Sequence, residues 1–326
     1  MNISDIAKMA KVSKSTVSRY LNGGSVSQKT KDKIDKIVQA TGYSPNQFAQ
    51  SLKAKRTFMI GAIIPRLDSY ATHQILEGAE HYFQDNKYQI LIVNTNQSIE
   101  QEIEALYTLN KNKVDGILLV ATQITEKHIE AIQDIKAPVL LIGQANKHVP
   151  SVIQNDFEAG RSVGEVIGQQ HFKRIAYLGV GEYDKAVGVD RKKGVLTGLN
   201  HYHQTADVYY TTFDLQQATL AASALVSHYD VIICGTDNIA LGTLKAAHQQ
   251  HLQVPKQLSI VGFGGYDTTT IVTPSLATMR FPYKQTGEQA AQNLIRIING
   301  ETVERLKVMT FEFIKNASID FSQSDE

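Results

Sequence analysis

From Phe58 onward, short apolar runs alternate with amphipathic stretches, and that alternation leaves few folds open. The strand candidates are Met59–Ile64, Gln89–Val93, Gly116–Val120, Val139–Ile142, Ile175–Gly179, Val208–Thr211, Val231–Cys234, Ser259–Gly262 and Met309–Ile314. Between most of them lie helical stretches: His73–Asn86, Ile99–Lys111, Glu158–His171, Leu215–His228, Ala240–His251 and Tyr283–Ile298. Strands interleaved with helices predict parallel sheets covered by helices. The number of strands suits two such sheets, with a ligand between their carboxyl ends.

The first 57 residues have a different texture. They hold nine lysines and two arginines against three aspartates, a net charge of +8. The whole chain is +1, so the remainder carries −7. Positive charge gathered in so short a segment is the footprint of a polyanion-binding module. A solvated basic tail would lack the caps and helical periodicity found here. Asn2 is placed to cap a first helix, with Asp5 facing its dipole. Ile6, Met9 and Ala10 share one face of it. Ser13 caps a second helix, in which Val17 and Leu21 point inward. That leaves Lys14, Ser15, Ser18 and Arg19 outward, where a recognition helix meets base edges in the major groove. Thr16 suits phosphate contact, which positions without specifying. Ser27 caps a third helix, from Gln28 to about Ala40, with Ile34, Ile37 and Val38 inward and Gly42 as its stop. Ser44 and Pro45 then start a helix of about two turns, too short to persist alone in water. Its formation must depend on DNA or a second subunit.

Other classes are poorly supported. A chain of 326 residues suits two or three domains, and no stretch is long enough for a membrane span. The N-terminus lacks a basic-then-apolar leader, so a cytoplasmic protein is expected. The one cysteine, Cys234, sits in an apolar run and reads as a buried small hydrophobe. Gly179-Val180-Gly181 follows a strand, but Asp184 stands where a dinucleotide fingerprint needs its third glycine. Gly262 and Gly264 fail likewise, with Asp267 in that place. The ten histidines form no His-Glu-x-x-His, and no Gly-x-Ser-x-Gly elbow occurs. Neither an enzyme nor a metal or other cofactor is expected.

Asp5-Ile6-Ala7, Val12-Ser13, Thr16-Val17-Ser18-Arg19, Leu21-Asn22 and Pro45-Asn46, with Ala49, Ser51 and Leu52, resemble the head and hinge of the lactose-repressor family. Lys113-Val114-Asp115-Gly116-Ile117, Asn155-Asp156, Ala159-Gly160, Arg191-Lys192-Lys193-Gly194, Thr236–Gly242 and Ser259–Phe263 are similar to that family's sugar-binding core. The resemblance covers nearly the whole chain. It implies an all-α helix-turn-helix head with a hinge helix, then a two-lobed body like a periplasmic binding protein, with two parallel sheets flanked by helices. The implied division is a head over 1–44, a hinge and linker over 45–57, and an effector-binding and dimerisation domain over 58–326. Within the body, one lobe takes about 58–155 and 283–310, the other about 156–282 and 311–326. Crossings are expected near Asn155–Phe157, Arg280–Tyr283 and Thr310–Glu312.

For the site residues, the likeness implies that a helix from Asn46, with Ala49, folds on operator DNA. Leu52 then wedges into the minor groove beside its twofold mate, an insertion that unstacks a base step. It implies that Arg191 contacts effector, and a guanidinium fork suits two adjacent hydroxyls. Asp237, at the carboxyl end of a strand, reads equally as a helix cap and as a pocket group. Thr236 stands where relatives often carry Asn. Gly264 and Gly265 replace acidic or amide residues, which shifts the expected grip to Tyr266 or Asp267, or makes room for a bulkier ligand. Gln144 replaces an acid. Asp68, Ser69, Tyr70, Phe213 and Phe281 lie where opposing walls belong, the aromatics reading equally as core.

Within the family, the Gly264-Gly265-Tyr266 run, Gln144, Val187–Gly194 and the Asn46–Leu52 hinge are most similar to sucrose operon repressors of Gram-positive bacteria. That implies a repressor of a sugar operon, released from a palindromic operator by a sugar or sugar phosphate. A corepressor-dependent regulator is the alternative; a sugar-binding protein or an enzyme is a remoter one. A homodimer is expected, because paired heads match a palindrome. Its surface should start with Thr72–Phe83, and the absence of a leucine-heptad tail after Phe321 argues for a dimer over a tetramer.

Overall fold

A computed structural model describes residues 1–21, 24–43, 56–170 and 172–321. The chain divides into a unit from Met1 to Phe58 and another from Met59 to Glu326.

The first unit is helical. Helix α1 spans Ile3–Ala10. Asn2 Oδ1 accepts from the Ser4 and Asp5 amides at 2.8 and 3.2 Å, and Asp5 accepts from the Asn2 amide at 2.9 Å. This reciprocal box satisfies donors that a helix start leaves orphaned. Helix α2 covers Lys14–Leu21, and Ser13 Oγ accepts from the Thr16 amide at 3.1 Å. Helix α3 covers Gln28–Thr41 and stops at Gly42, whose φ of 61° is the left-handed region a side chain disfavours. Ile6, Ala7, Ala10, Val17 and Ile34 form the core, flanked by Leu21, Ile37 and Val38. Two expectations change here. Met9 is 52% exposed and Ala7 takes its place inside. Ser27 precedes α3 but makes no side-chain cap, its hydroxyl pairing with that of Thr30 instead.

The second unit holds two six-stranded sheets. The first runs β11-β5-β4-β3-β1-β2, from Met59–Ile64 (β1), Gln89–Asn94 (β2), Gly116–Val120 (β3), Val139–Ile142 (β4), Ser151–Gln154 (β5) and Leu306–Met309 (β11). Its strands are all parallel; Ile60, for example, pairs with Ile90 on one side and Gly116 on the other. The second runs β12-β10-β9-β8-β6-β7, from Ile175–Val180 (β6), Asp207–Thr211 (β7), Val231–Cys234 (β8), Ser259–Gly264 (β9), Ala277–Arg280 (β10) and Glu312–Ile314 (β12). Only the β10–β12 pair is antiparallel. Helices cover the first sheet as α4 (Tyr70–Asp85), α5 (Ile99–Lys111), α6 (Glu126–Asp134) and α12 (Tyr283–Ile298). The second has α7 (Asp156–Gly168), a π-helical turn at Lys185–Arg191, α8 (Lys192–His201), α9 (Leu215–Ser223), α10 (Asp237–Gln249) and the single turn α11 (Thr268–Ile271). The buried apolar strands leave Cys234 inert at 0% exposure, its thiol pushed up to about 12 by burial.

The chain passes between the sheets three times: after β5, after β10 and after β11. The run Met309–Ile314 is therefore not one strand. Its alternating Met309, Phe311 and Phe313 continue one pattern, but Thr310–Phe311 carries the chain from β11 in one sheet to β12 in the other. Strands β5 and β10, only four residues each, carried no separate pattern in the sequence. The expected helix to His228 ends at Ser223, because Leu225 and Val226 stay buried in a turn and prolong the apolar spacing.

Candidate functional site

In the helical unit, Lys14, Ser15 and Arg19 are exposed along α2, while Thr16 and Ser18 are half-buried. The Ser13 hydroxyl lies 2.7 Å from that of Ser15 and 2.8 Å from that of Thr16, so the start of α2 carries a small hydroxyl cluster. Tyr20 donates to Asp35, pinning α2 to α3. An exposed helix with Lys, Ser and Arg on one face has donors for both base edges and phosphates. The hinge residues Asn46, Ala49 and Leu52 lie outside the described residues.

In the second unit, strand ends and helix starts from both sheets converge on a cleft of about 130 Å³. Its lining includes six of the sequence candidates: Ser69, Gln144, Arg191, Phe213, Thr236 and Tyr266. Arg191 is the anchor. It ends the π-helical turn, is 4% exposed, and donates through Nε and Nη2 to Asp156 Oδ1 at 3.0 and 2.5 Å. Its Nη1 donates to the Gly235 carbonyl at 2.6 Å. The guanidinium carbon sits 5.0 Å from both the Phe263 and Phe281 rings. Burial presses the Arg191 pKa down, but Asp156 outweighs it and the net shift is upward. A buried arginine held this firmly is a fixed fork rather than a searching one.

Around it, Gln144 donates to the Thr122 carbonyl at 3.0 Å, which fixes its amide at the wall. Ser69 caps α4, accepting from the Thr72 amide at 3.3 Å. Thr236 caps α10, accepting from the Ile239 amide at 3.4 Å. Phe213 lies under the Arg66 guanidinium, 4.4 Å from carbon to ring centroid, and this contact spans the two lobes. The charged lining groups are Arg66, Asp156, Asp184 and Arg191, two of each sign. Such balanced donors and acceptors suit the hydroxyls of a polyol.

Five candidates sit elsewhere. Asp237 is 0% exposed and absent from the lining; its Oδ2 accepts from the Tyr266 amide at 2.8 Å and its Oδ1 from the Thr278 hydroxyl at 2.6 Å. The helix cap is Thr236, one residue earlier. Burial drives the Asp237 carboxyl up to about 6, despite those bonds. Phe281 packs beneath Arg191 rather than lining the cleft. Tyr70 stacks on Tyr266, with centroids 4.1 Å apart. Asp68 is exposed beside Arg66, at 3.7 Å. Asp267 donates its amide to the Tyr70 hydroxyl at 3.4 Å.

Two lining acids escaped the sequence reading. Asp156 begins α7 and meets Arg191 from 35 positions away, a pairing no local pattern shows. Asp184, the residue that spoils the glycine fingerprint, caps the π-helical turn by accepting from the Val187 amide at 2.9 Å. Its carboxyl is pushed upward, chiefly by packing away from solvent. An acid just past the end of an apolar strand was the available signal for it. Among the described residues, no three potential ligands cluster for a metal, and no helix is long and apolar enough to cross a membrane.

Comparison with known proteins bears on the family and the fold. The family model described as periplasmic binding proteins and sugar binding domain of LacI family matches residues 57–317. That of bacterial regulatory proteins, lacI family, matches residues 2–46. The sucrose operon repressor of Staphylococcus xylosus is 43% identical over 314 residues, covering 95% of this chain and 98% of that protein. Catabolite control protein A of Priestia megaterium is 29% identical over 315 residues, 93% of this chain and 94% of its own. Among solved structures, the Lac repressor dimer bound to operator and an anti-inducer aligns with a TM-score of 0.88 at 20% identity, covering 98% of each chain. A complex of the regulator CelR with cellobiose aligns with a TM-score of 0.72 at 21% identity, over 98% of this chain and 99% of that one. At such identities the structural likeness speaks for the fold.

Proposed function

The chain belongs to the LacI family of bacterial regulatory proteins, and from that premise we propose that it represses a sucrose-utilisation operon and is released from its operator by a sugar effector. The observation that carries the reading is the coexistence, in one chain, of a capped basic reading helix and a polyol-suited cleft built on Arg191 and Asp156. The 43% identity to a sucrose operon repressor supports sucrose as the operon's substrate.

In this reading residues 1–44 are the DNA-binding head, 45–57 the hinge, and 58–326 the effector and dimerisation domain. Lys14, Ser15, Ser18 and Arg19 address base edges and Thr16 a phosphate. Asn46, Ala49 and Leu52 belong to a hinge that engages the minor groove. Arg191, Gln144, Ser69, Thr236, Phe213 and Tyr266 contact effector, while Asp237, Tyr70 and Phe281 hold those groups in place. The protein works as a homodimer, as the solved Lac repressor does on its operator. Effector binding alters the angle between the lobes and draws the two hinges apart, which lowers operator affinity. That coupling requires a difference in effector affinity between two states, not merely tight binding.

The test is operator release by the full-length protein against sucrose, sucrose 6-phosphate, fructose and fructose phosphates. One of these is expected to weaken operator binding by at least tenfold. Strengthened binding would make the effector a corepressor. Indifference to the whole panel would overturn the sucrose reading.

A further inference from the structure

The family resemblance implies an acidic or amide residue where Gly264 and Gly265 stand, and the geometry at the end of β9 shows what fills that space here. Gly264 has φ of 142°, and a Cβ built on it would lie 2.2 Å from Cε1 of Tyr266. Tyr266 therefore folds back over the glycine and fills the space a residue at 264 would take. Its amide is fixed by Asp237 at 2.8 Å, and its ring is 7% exposed at the cleft wall. On its other side lies Tyr70, with centroids 4.1 Å apart and planes inclined by 27°. Tyr70 opens α4 in the first lobe, whereas Tyr266 belongs to the second, so the stack spans the gap between lobes. The Asp267 amide reaches the Tyr70 hydroxyl at 3.4 Å, a further link between the same two elements. Tyr266 also lines a second cavity of about 350 Å³, together with Tyr70, Gln74, Arg280 and Lys284.

We propose that Tyr70 and Tyr266 form an inter-lobe clasp that holds the effector cleft in its closed shape, with Tyr70 as the positioning residue for the Tyr266 wall and Gly264 as the vacancy that admits the ring. The inference rests on the cleft being the effector site. A stacked aromatic pair stabilises beyond its buried area, and here the benefit exists only when the lobes are together. A ligand that needs contacts from both lobes binds more weakly when the closed state is less populated. Tyr70 thus sets effector sensitivity without contacting effector.

The chain has no tryptophan, so near-ultraviolet circular dichroism of the full-length protein reports its tyrosines. Tyr70→Ala and Tyr266→Ala are expected to remove the same band, and the double variant no more than either alone. With sucrose as the probe, Tyr70→Ala should raise the half-releasing concentration roughly two- to tenfold. Tyr70→Phe, which keeps the ring, should stay within about twofold of wild type. Additive loss of the bands, or an unchanged sucrose midpoint in Tyr70→Ala, would overturn the clasp. A wild-type protein blind to the whole sugar panel would sink the effector reading instead, and the clasp would then be decided by the dichroism alone.

Discussion

Asp237 has both carboxylate oxygens committed, one to the Tyr266 amide and one to the Thr278 hydroxyl, in a site closed to water. Desolvation nonetheless wins, and the group sits at about 6. An unfolded aspartate titrates near ~3.9, so between these values the folded state holds a proton that the unfolded state has lost. Stability contributed by the protonated form is therefore present below about pH 4 and declines as pH rises toward 6. The expected loss is roughly 3 kcal/mol across that window. Urea unfolding at pH 4 to 7, wild type against Asp237→Asn, isolates the contribution. The wild type should weaken relative to the variant as pH rises, and parallel curves would exclude it. Nothing in the sequence distinguished this role from a helix cap. Thr236 and Asp237 are both good capping residues, and only the fold assigns the cap to the first and the loop to the second.

At the scale of elements, the central strands and long helices were legible because apolar spacing is a local property. The short strands β5, β10 and β11 were not, because each is defined by a neighbour far along the chain; β11, for instance, pairs with β5 across some 150 residues. One helix pair shows how element packing reaches the site. Helices α7 and α8 approach so closely that a Cβ at Gly164 would meet the Val195 carbonyl at 2.2 Å, and one at Gly198 the Arg161 carbonyl at 2.2 Å. Alanine is favoured over glycine in a helix by about 1 kcal/mol, but backbone cannot swing aside as a side chain can. Overpacking should win, and Gly198→Ala is expected to cost about 1–3 kcal/mol net in urea unfolding. Asp156 and Arg191 stand at the starts of the same two helices, so forcing them apart loosens the Asp156–Arg191 pair as well. The variant should therefore release operator only at higher sugar concentration. A neutral or stabilised Gly198→Ala would contradict the close packing.

At the scale of the molecule, a net charge of +1 describes neither part of the chain, since +8 belongs to the first 57 residues and −7 to the rest. Composition could show that segregation, but it could not show Asp156 beside Arg191 or Tyr70 on Tyr266, contacts made only when distant segments meet. The segregation has a thermodynamic consequence. Binding to DNA releases condensed counterions, and the affinity falls with log salt at about −0.9 per phosphate neutralised. If overall charge governed the interaction, a dimer of +1 chains would give a slope of about −2. If the heads govern it, each of the two neutralises several phosphates whatever the net charge of the rest of the chain. The slope on non-specific duplex between about 50 and 200 mM salt should then be about −5 or steeper. On the proposed hinge role, adding an effective sugar should weaken operator binding far more than binding to this non-specific duplex, since minor-groove contact would serve the specific complex while the heads' charge serves both. A slope near −2, or an equal loss on both DNAs, would mean that the head's charge and the hinge do not divide the work in this way.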